Sequence, residues 1–365
     1  MKFKVKKEQL VEGLQKCQGV CRTGHGAVSN PVLENVLFLA GDGTLELRGT
    51  DERITVCVRM DAETAEAGST TLPPKRMLNI IRELDAEDVE VTVQNNLATL
   101  ESGSFKSQIC GVPDETFPKL PEMEGATEYK LDQGVLKGML KMTSYAAAAD
   151  PSRQLLSSVL LSFQNGRLSV VATDSRRLAL VENDIEMTAD QNADVIVPLA
   201  AVNEILKSLG DAGELTIRAT KKLAQFDNGA MQVYTKLAEG MYPNFRQVVP
   251  QAAGDRATIG REALQTAIRR TTTFANDLSP AMNLTFDADT LEILVTTPEV
   301  GEARERLDVK YSGKPLSISF NPVFLTEPLK NLTQDEVYLD LVDDVSPGVL
   351  RTNISFVYVL MPIRR

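Results

Sequence analysis

Apolar positions recur along the chain with two periods, and the two periods alternate in a repeating order. Spacings of three and four mark amphipathic helices over residues 8–21, 132–146 and 261–274. Leu10, Leu14, Cys17 and Cys21 form the stripe of the first, Leu136, Leu140 and Thr143 that of the second, and Leu264, Ile268 and Thr271 that of the third. Each is followed by two short apolar runs around a turn: 36–39 and 45–47 around Gly41-Asp42-Gly43, 159–163 and 168–171 around Asn165-Gly166, and 283–286 and 291–294 around Asp287-Ala288-Asp289. Such pairs predict β-hairpins, with Asn-Gly the strongest of the turn signals. A Thr-Asp-x-Arg element follows at Thr50-Asp51-Glu52-Arg53 and again, 123 positions on, at Thr173-Asp174-Ser175-Arg176. Thr297-Pro298-Glu299 takes its place in the third copy.

Second helices are expected over residues 73–84, 198–209 and 322–332, each with a proline near the first turn, where a missing N–H costs nothing. Further strands close each copy: 89–93 with 98–100, 215–218 with 231–234, and 337–341 with 355–360. Segments 113–125 and 243–256 are Pro-rich or polar and join the copies. The pattern is an internal repeat, and it predicts three α+β domains, 1–122, 123–250 and 251–365, each with two helices and two groups of strands.

Composition narrows the chemistry. Of 365 residues, 43% are apolar and 24% charged, which supports sizeable cores and argues against disorder. One histidine, His25, leaves no pair for a metal site, and Gly24-His25-Gly26 reads as a loop. Cys17, Cys21, Cys57 and Cys110 form no CxxC pair, so they read as small buried hydrophobes in a reducing compartment. No run approaches the roughly 18–20 apolar residues of a membrane span, and the N-terminal stretch leads into no signal core. A cytoplasmic protein with no membrane partner is expected.

A net charge of −11 speaks against nucleic acid on average, but the distribution matters more. Aligning the apolar stripes of the first helices superposes Lys16, Lys141 and Arg269, and the second helices superpose Arg82, Lys207 and Lys330. All six positions are basic, and Lys75, Lys137, Arg261 and Arg270 lie nearby. Ordinary solvated helix faces would also carry Lys and Arg. If the six helices share one side, that side attracts a phosphate backbone without reading its sequence.

Three stretches carry a resemblance: Val171-Ala172-Thr173-Asp174-Ser175-Arg176-Arg177-Leu178-Ala179, Gly240-Met241-Tyr242-Pro243-Asn244-Phe245-Arg246, and Tyr358-Val359-Leu360-Met361-Pro362-Ile363-Arg364. With the repeats, they make the whole chain resemble the bacterial sliding clamps, the β subunits of DNA polymerase III. The resemblance implies three repeated clamp domains, each with two helices on antiparallel sheets. Two subunits would close head to tail into a ring around duplex DNA. It implies a subunit interface at Arg76, Ile80, Leu84 and Phe105 against Thr273, Phe274, Glu302 and Glu305. It also implies a pocket for partner peptides of the replicative polymerase, the clamp loader and other clamp-binding proteins, at Leu156, Thr173, Ser175, Arg176, Arg177, Leu178, Pro243, Val248, Val359, Met361, Pro362 and Ile363. The family often has Gly-His at Ser175-Arg176 and Arg at Gln247, so the pocket rim differs here. Duplex contacts are implied at the six helix positions and in the loops holding Arg22, His25, Arg153 and Gln154.

An enzyme of nucleotidyl transfer would need carboxylates converging on two metal ions. Asp51 and Asp174 are repeat equivalents, which suits a turn role, and Asp343-Asp344 precedes the loop-like Ser346-Pro347-Gly348. No Walker-type phosphate loop is present. The expectation is a non-catalytic protein without metal or cofactor. A protein-only repeat scaffold is the other reading, separable by salt-dependent binding to DNA.

Overall fold

The structure is a computed structural model that describes residues 1–21, 30–250, 254–275, 281–298 and 300–364. Seven helices lie among them: α1 (Lys7–Gln18), α2 (Pro74–Arg82), α3 (Gln133–Thr143), α4 (Leu199–Ser208), the single turn α5 (Phe245–Val248), α6 (Arg261–Thr272) and α7 (Pro322–Asn331). One element order runs three times: a strand, a helix, a group of strands that begins with a hairpin, a second helix, and three strands. The opening strands, Lys2–Lys6, Thr127–Asp132 and Asp255–Gly260, escaped the sequence reading although Lys-Phe-Lys-Val-Lys alternates strictly. Leu223–Asp227 and Gly348–Arg351 were missed too. Each stands between strands expected to be neighbours and pairs with both.

The three predicted hairpins all form, with two-residue loops at Asp42-Gly43, Asn165-Gly166 and Ala288-Asp289. Both residues of every loop have positive φ. That is the geometry whose twist matches the flanking strands, so the turn fixes register in each copy.

The chain gathers into two compact units, Met1–Lys137 with Ala200–Leu237, and Gly138–Leu199 with Ala238–Arg365. The first holds a five-stranded sheet and an eight-stranded sheet; the second holds a nine-stranded and a four-stranded sheet. In the first unit α1 packs on Thr44–Thr50, on Ile54–Asp61 and on α2. It buries Leu10, Leu14 and Cys17 of the stripe read from the sequence, together with Gly13; Cys21, the fourth residue of that stripe, is buried just beyond the helix. The approach is close: a β-carbon at Gly49 would lie 2.3 Å from the Cys17 carbonyl oxygen, so only glycine lets the helix seat there. In the second unit α6 packs on α7 and on Thr290–Thr297 and Gly301–Asp308.

Helix α7 contains Pro328, which cannot donate to the carbonyl of Phe324 four residues back. The Tyr358 hydroxyl donates to that oxygen instead, at 2.8 Å. Burial holds the Tyr358 phenol well above its ordinary pKa, so it stays a donor. Tyr358→Phe should therefore destabilise the protein by about 1–3 kcal/mol, the cost of leaving a buried carbonyl unpaired. In a Pro328→Ala background, where the helix can supply its own N–H, calorimetry should show that loss shrink to a small fraction.

Candidate functional site

The second unit buries an apolar cluster of Leu160, Val171, Leu178, Leu180, Ile196, Phe245 and Val359, with Leu155, Tyr242 and Val249 packed against it. Leu178 and Val359 are cross-strand partners, so two of the pocket residues form its floor. Thr173 is buried beside them. Pro243, Val248 and Met361 are exposed above, and Leu156, Pro362 and Ile363 are half-buried. The last segment is tied down by its backbone: Met361 N donates to Arg176 O at 3.0 Å, and Ile363 N to Ser319 O at 2.8 Å. An open cavity of about 770 Å³ continues along the same sheet, lined by Leu160, Ser162, Tyr242, Pro243 and Arg246 among others.

The two Thr-Asp-x-Arg elements adopt one turn. Asp51 Oδ1 accepts from the N–H groups of Arg53 and Ile54, and Asp174 Oδ1 from those of Arg176 and Arg177. Thr50 and Thr173 each bond a carbonyl four residues on. Glu52 and Ser175 both sit at positive φ, 71° and 79°. These carboxylates, like Asp343, which accepts from Val345 N and Ser346 N, set turns and are not gathered at a reaction centre.

Arg177 does not line the pocket as a free cation. It is 8% exposed, pairs with Asp174 and Glu327, donates to Tyr145 O at 2.7 Å, and stacks over the Phe324 ring at 4.3 Å. Burial demands such partners, and it makes Arg177 a strut between the turn and α7. Glu327 and Phe324 were not singled out from the sequence, because no local pattern signals a partner as far along the chain as Glu327 is from Arg177, 150 residues; Tyr358 entered only as the start of the C-terminal stretch. Arg153, which the resemblance placed toward DNA, donates to Ser175 Oγ at 2.7 Å and Asp174 O at 3.3 Å, at the edge of the turn. Gln154 beside it is exposed, and its carbonyl receives the Ser158 hydroxyl.

The six basic positions all fall in the last turns of their helices: Lys16, Arg82 and Lys207 in the first unit, Lys141, Arg269 and Lys330 in the second. Five are exposed. Lys16 is half-buried and pairs with Glu12 at 2.7 Å, and Lys207 pairs with Glu204 at 2.7 Å. Arg22 and His25 lie outside the described residues.

Of the candidate interface residues, Arg76 and Thr273 are exposed, Ile80 and Phe274 half-buried, and Phe105 43% exposed. Leu84 is 6% exposed and belongs to the core, so it offers no surface to a partner. Phe105–Cys110 ends the five-stranded sheet, and Gly301–Asp308, carrying Glu302 and Glu305, ends the four-stranded one. Among the described residues neither edge is paired.

Comparison with known proteins decides the family. The models for the DNA polymerase III beta subunit match in order along the chain: the N-terminal domain over residues 1–121, the central domain over 130–244 and the C-terminal domain over 246–364. This chain belongs to the DNA polymerase III beta subunit family. The beta sliding clamp of Chlamydia muridarum is 31% identical over 365 residues, covering all of this chain and 99% of that one. That of Escherichia coli is 29% identical over 369 residues, covering both chains completely. The crystal structure of the Pseudomonas aeruginosa DnaN sliding clamp bound to griselimycin superposes with a TM-score of 0.95 at 28% identity, again over both whole chains. The family's three repeated domains match the threefold element order seen here, and the family is a non-catalytic part of its polymerase. No described helix is long and apolar enough to cross a membrane.

Removing the strut should loosen this site. Arg177→Ala is expected to cost about 2–3 kcal/mol, below the roughly 3–5 of a fully buried pair because Glu327 is 31% exposed. A fall of about 5–10 °C in the unfolding midpoint would show it. Arg176→Ala should leave the midpoint unchanged.

Proposed function

We propose that this chain is a cytoplasmic DNA sliding clamp: two copies close head to tail around duplex DNA and hold a polymerase, a clamp loader and other partners by short peptides. Its three domains would span 1–122, 123–250 and 251–365. The observation that carries this reading is the rule by which the copies join. In the first unit the strand after the Thr-Asp-x-Arg turn, Ile54–Asp61, pairs antiparallel with the last strand of the second copy, Met231–Lys236. In the second unit its equivalent, Arg177–Asp184, pairs with the last strand of the third copy, Phe356–Leu360. Of these two kinds of strand, Gly301–Asp308 of the third copy and Phe105–Cys110 of the first are left over, each at an end of its sheet. Applied once more, the rule joins the third copy of one chain to the first copy of another. Such a contact is heterologous, and it gives a ring when its rotation closes. The resemblance to the bacterial sliding clamps implies the closed form.

The basic helix ends supply the second half of the reading. Phosphate contacts of this kind give attraction without sequence preference, which suits a ring that must slide. A helix C-terminus also favours a cation by about 0.3–1 kcal/mol, so position alone does not require DNA. Retention on DNA separates the two reasons.

Two experiments test the proposal. In the hairpin closed by Ser102 and Phe105, the N–H groups of Lys106, Gln108 and Cys110 point to the free edge, because hydrogen-bonded and open pairs alternate. Gln108→Pro removes one of them and leaves the inner ladder intact. Native mass should drop from two chains to one in the low-micromolar range, while Gln108→Ala stays a dimer; a dimeric Gln108→Pro protein would refute the edge junction. Replacing Lys16, Arg82, Lys141, Lys207, Arg269 and Lys330 together by Gln should leave the dimer intact. Retention on circular DNA after loading should fall at least about tenfold at roughly 100 mM salt. Undiminished retention would sink the assignment of these helices and favour a scaffold that binds protein alone.

A further inference from the structure

The second helices of the last two copies carry a glutamate at one repeat position, and the fold answers it in two ways. Glu204 on α4 and Glu327 on α7 are equivalent, each three residues before a basic helix end, Lys207 and Lys330. Both therefore have the spacing at which a helix can close an ion pair on itself. Only one does. Lys207 Nζ reaches Glu204 Oε1 at 2.7 Å, whereas Glu327 turns to Arg177 and leaves Lys330 without an ion pair to a described residue.

The difference traces to one residue of the turn. Arg177 is the fifth residue counted from Thr173, and the fifth counted from Thr50 is Ile54, buried and without charge. Glu204 is thus left without an arginine although it is the deeper of the two glutamates, its side chain 9% exposed against 31%. Its Oε1 has Lys207, while its Oε2 is buried and has no hydrogen-bond partner. The carboxylate also lies against the end of α1: a β-carbon at Gly19, the residue that caps this helix, would sit 3.0 Å from Oε2 and 3.4 Å from Oε1. A helix C-terminus is itself negative and adds to the cost of the buried charge. Without Lys207 that charge has no ion-pair partner among the described residues, and an uncompensated buried charge is expensive.

We infer that Glu204 holds Lys207 as an internal counter-ion and so weakens it as a phosphate contact, leaving the free helix ends, Lys330 among them, to carry more of the grip on DNA. Glu204 is a positioning residue, acting through the lysine rather than on the duplex. The inference rests on the DNA-binding reading above and specifies which helix ends serve it. Lys16 differs from Lys207, since its partner Glu12 is 67% exposed and a pair of that kind holds a lysine only weakly.

The salt dependence of duplex binding tests it. Anisotropy of a short fluorescent linear duplex, titrated with the full-length protein between about 20 and 200 mM salt, gives a slope of log K against log salt that counts phosphate contacts at about 0.9 each. In a dimer every substitution is present twice. Lys330→Gln should therefore flatten the slope by about 2, and Lys207→Gln by less than half as much. Lys207→Gln should also lower the unfolding midpoint by about 2–5 °C, which Lys330→Gln should not. Glu204→Gln keeps the shape, removes the charge and frees the lysine, so the slope should steepen by about 1–2 and affinity at low salt rise about three- to tenfold. Adding Lys207→Gln to Glu204→Gln should cancel that gain. An equal loss of slope in Lys207→Gln and Lys330→Gln, or a Glu204→Gln protein that binds the duplex as the unaltered one does, would overturn the inference. If the unaltered protein binds no duplex at any salt, the DNA reading itself fails and this inference with it.

Discussion

A β-strand at the end of a sheet exposes a row of unpaired N–H and C=O groups, and this molecule is organised around where those edges go. Each copy of the repeat presents one edge after its Thr-Asp-x-Arg turn, or the equivalent point of the third copy, and another at its last strand. Twice the chain joins one kind to the other, producing the eight-stranded and nine-stranded sheets. Three copies in a line necessarily leave one edge of each kind over. A long exposed edge is normally blunted by charge, proline or a covering element, because otherwise it recruits whatever strand it meets. Gly301–Asp308 carries alternating Glu and Arg, which suits a specific antiparallel partner better than indiscriminate pairing.

The helices depend on the sheets in turn. A glycine in the sheet lets α1 approach to backbone contact, and that closeness fixes which residues of the helix face outward. In the second unit the same job falls to side chains. Tyr358 completes the hydrogen bonding that Pro328 interrupts, and Arg177 ties the turn of one copy to α7 of the next. The strand carrying Tyr358 also carries Val359 in the pocket floor, so the residues that shape the pocket are those that seat α7. Function at the pocket and stability of the junction are thus held by one set of contacts.

Much of this was legible in the sequence because it is local. Helix stripes such as Leu10, Leu14 and Cys17, turn residues such as Asn165-Gly166, and prolines at helix starts each encode structure within a few residues. Repetition then multiplied every weak signal by three. The missed strands were short, like Gly348–Arg351, began a copy before the helix that drew attention, or, like Ile54–Asp61, Arg177–Asp184 and Gly301–Asp308, followed the Thr-Asp-x-Arg element or its third-copy equivalent, which read only as a turn. The surroundings of Arg177 and Arg153 were out of reach for a different reason. A cation in a sequence reads the same whether it is buried against Glu327, held by a serine hydroxyl or free in water, and only the fold brings its partner near. Leu84 likewise could be core or interface until its burial was seen.

The excess of acid over base also takes on a definite meaning. Several acidic groups, Asp51, Asp174 and Asp343 among them, turn back to backbone N–H groups and hold turns, so they contribute little to any surface that meets a partner. The basic groups at the six helix ends are, with the exceptions of Lys16 and Lys207, free of ion pairs with described residues. A helix C-terminus by itself carries a partial negative charge and would repel a phosphate or a carboxylate. Placing Lys or Arg in the last turn of each of these helices reverses that sign where it matters and stabilises the helix as well. An acidic protein can therefore keep positive helix ends while the remainder of its exterior stays acidic.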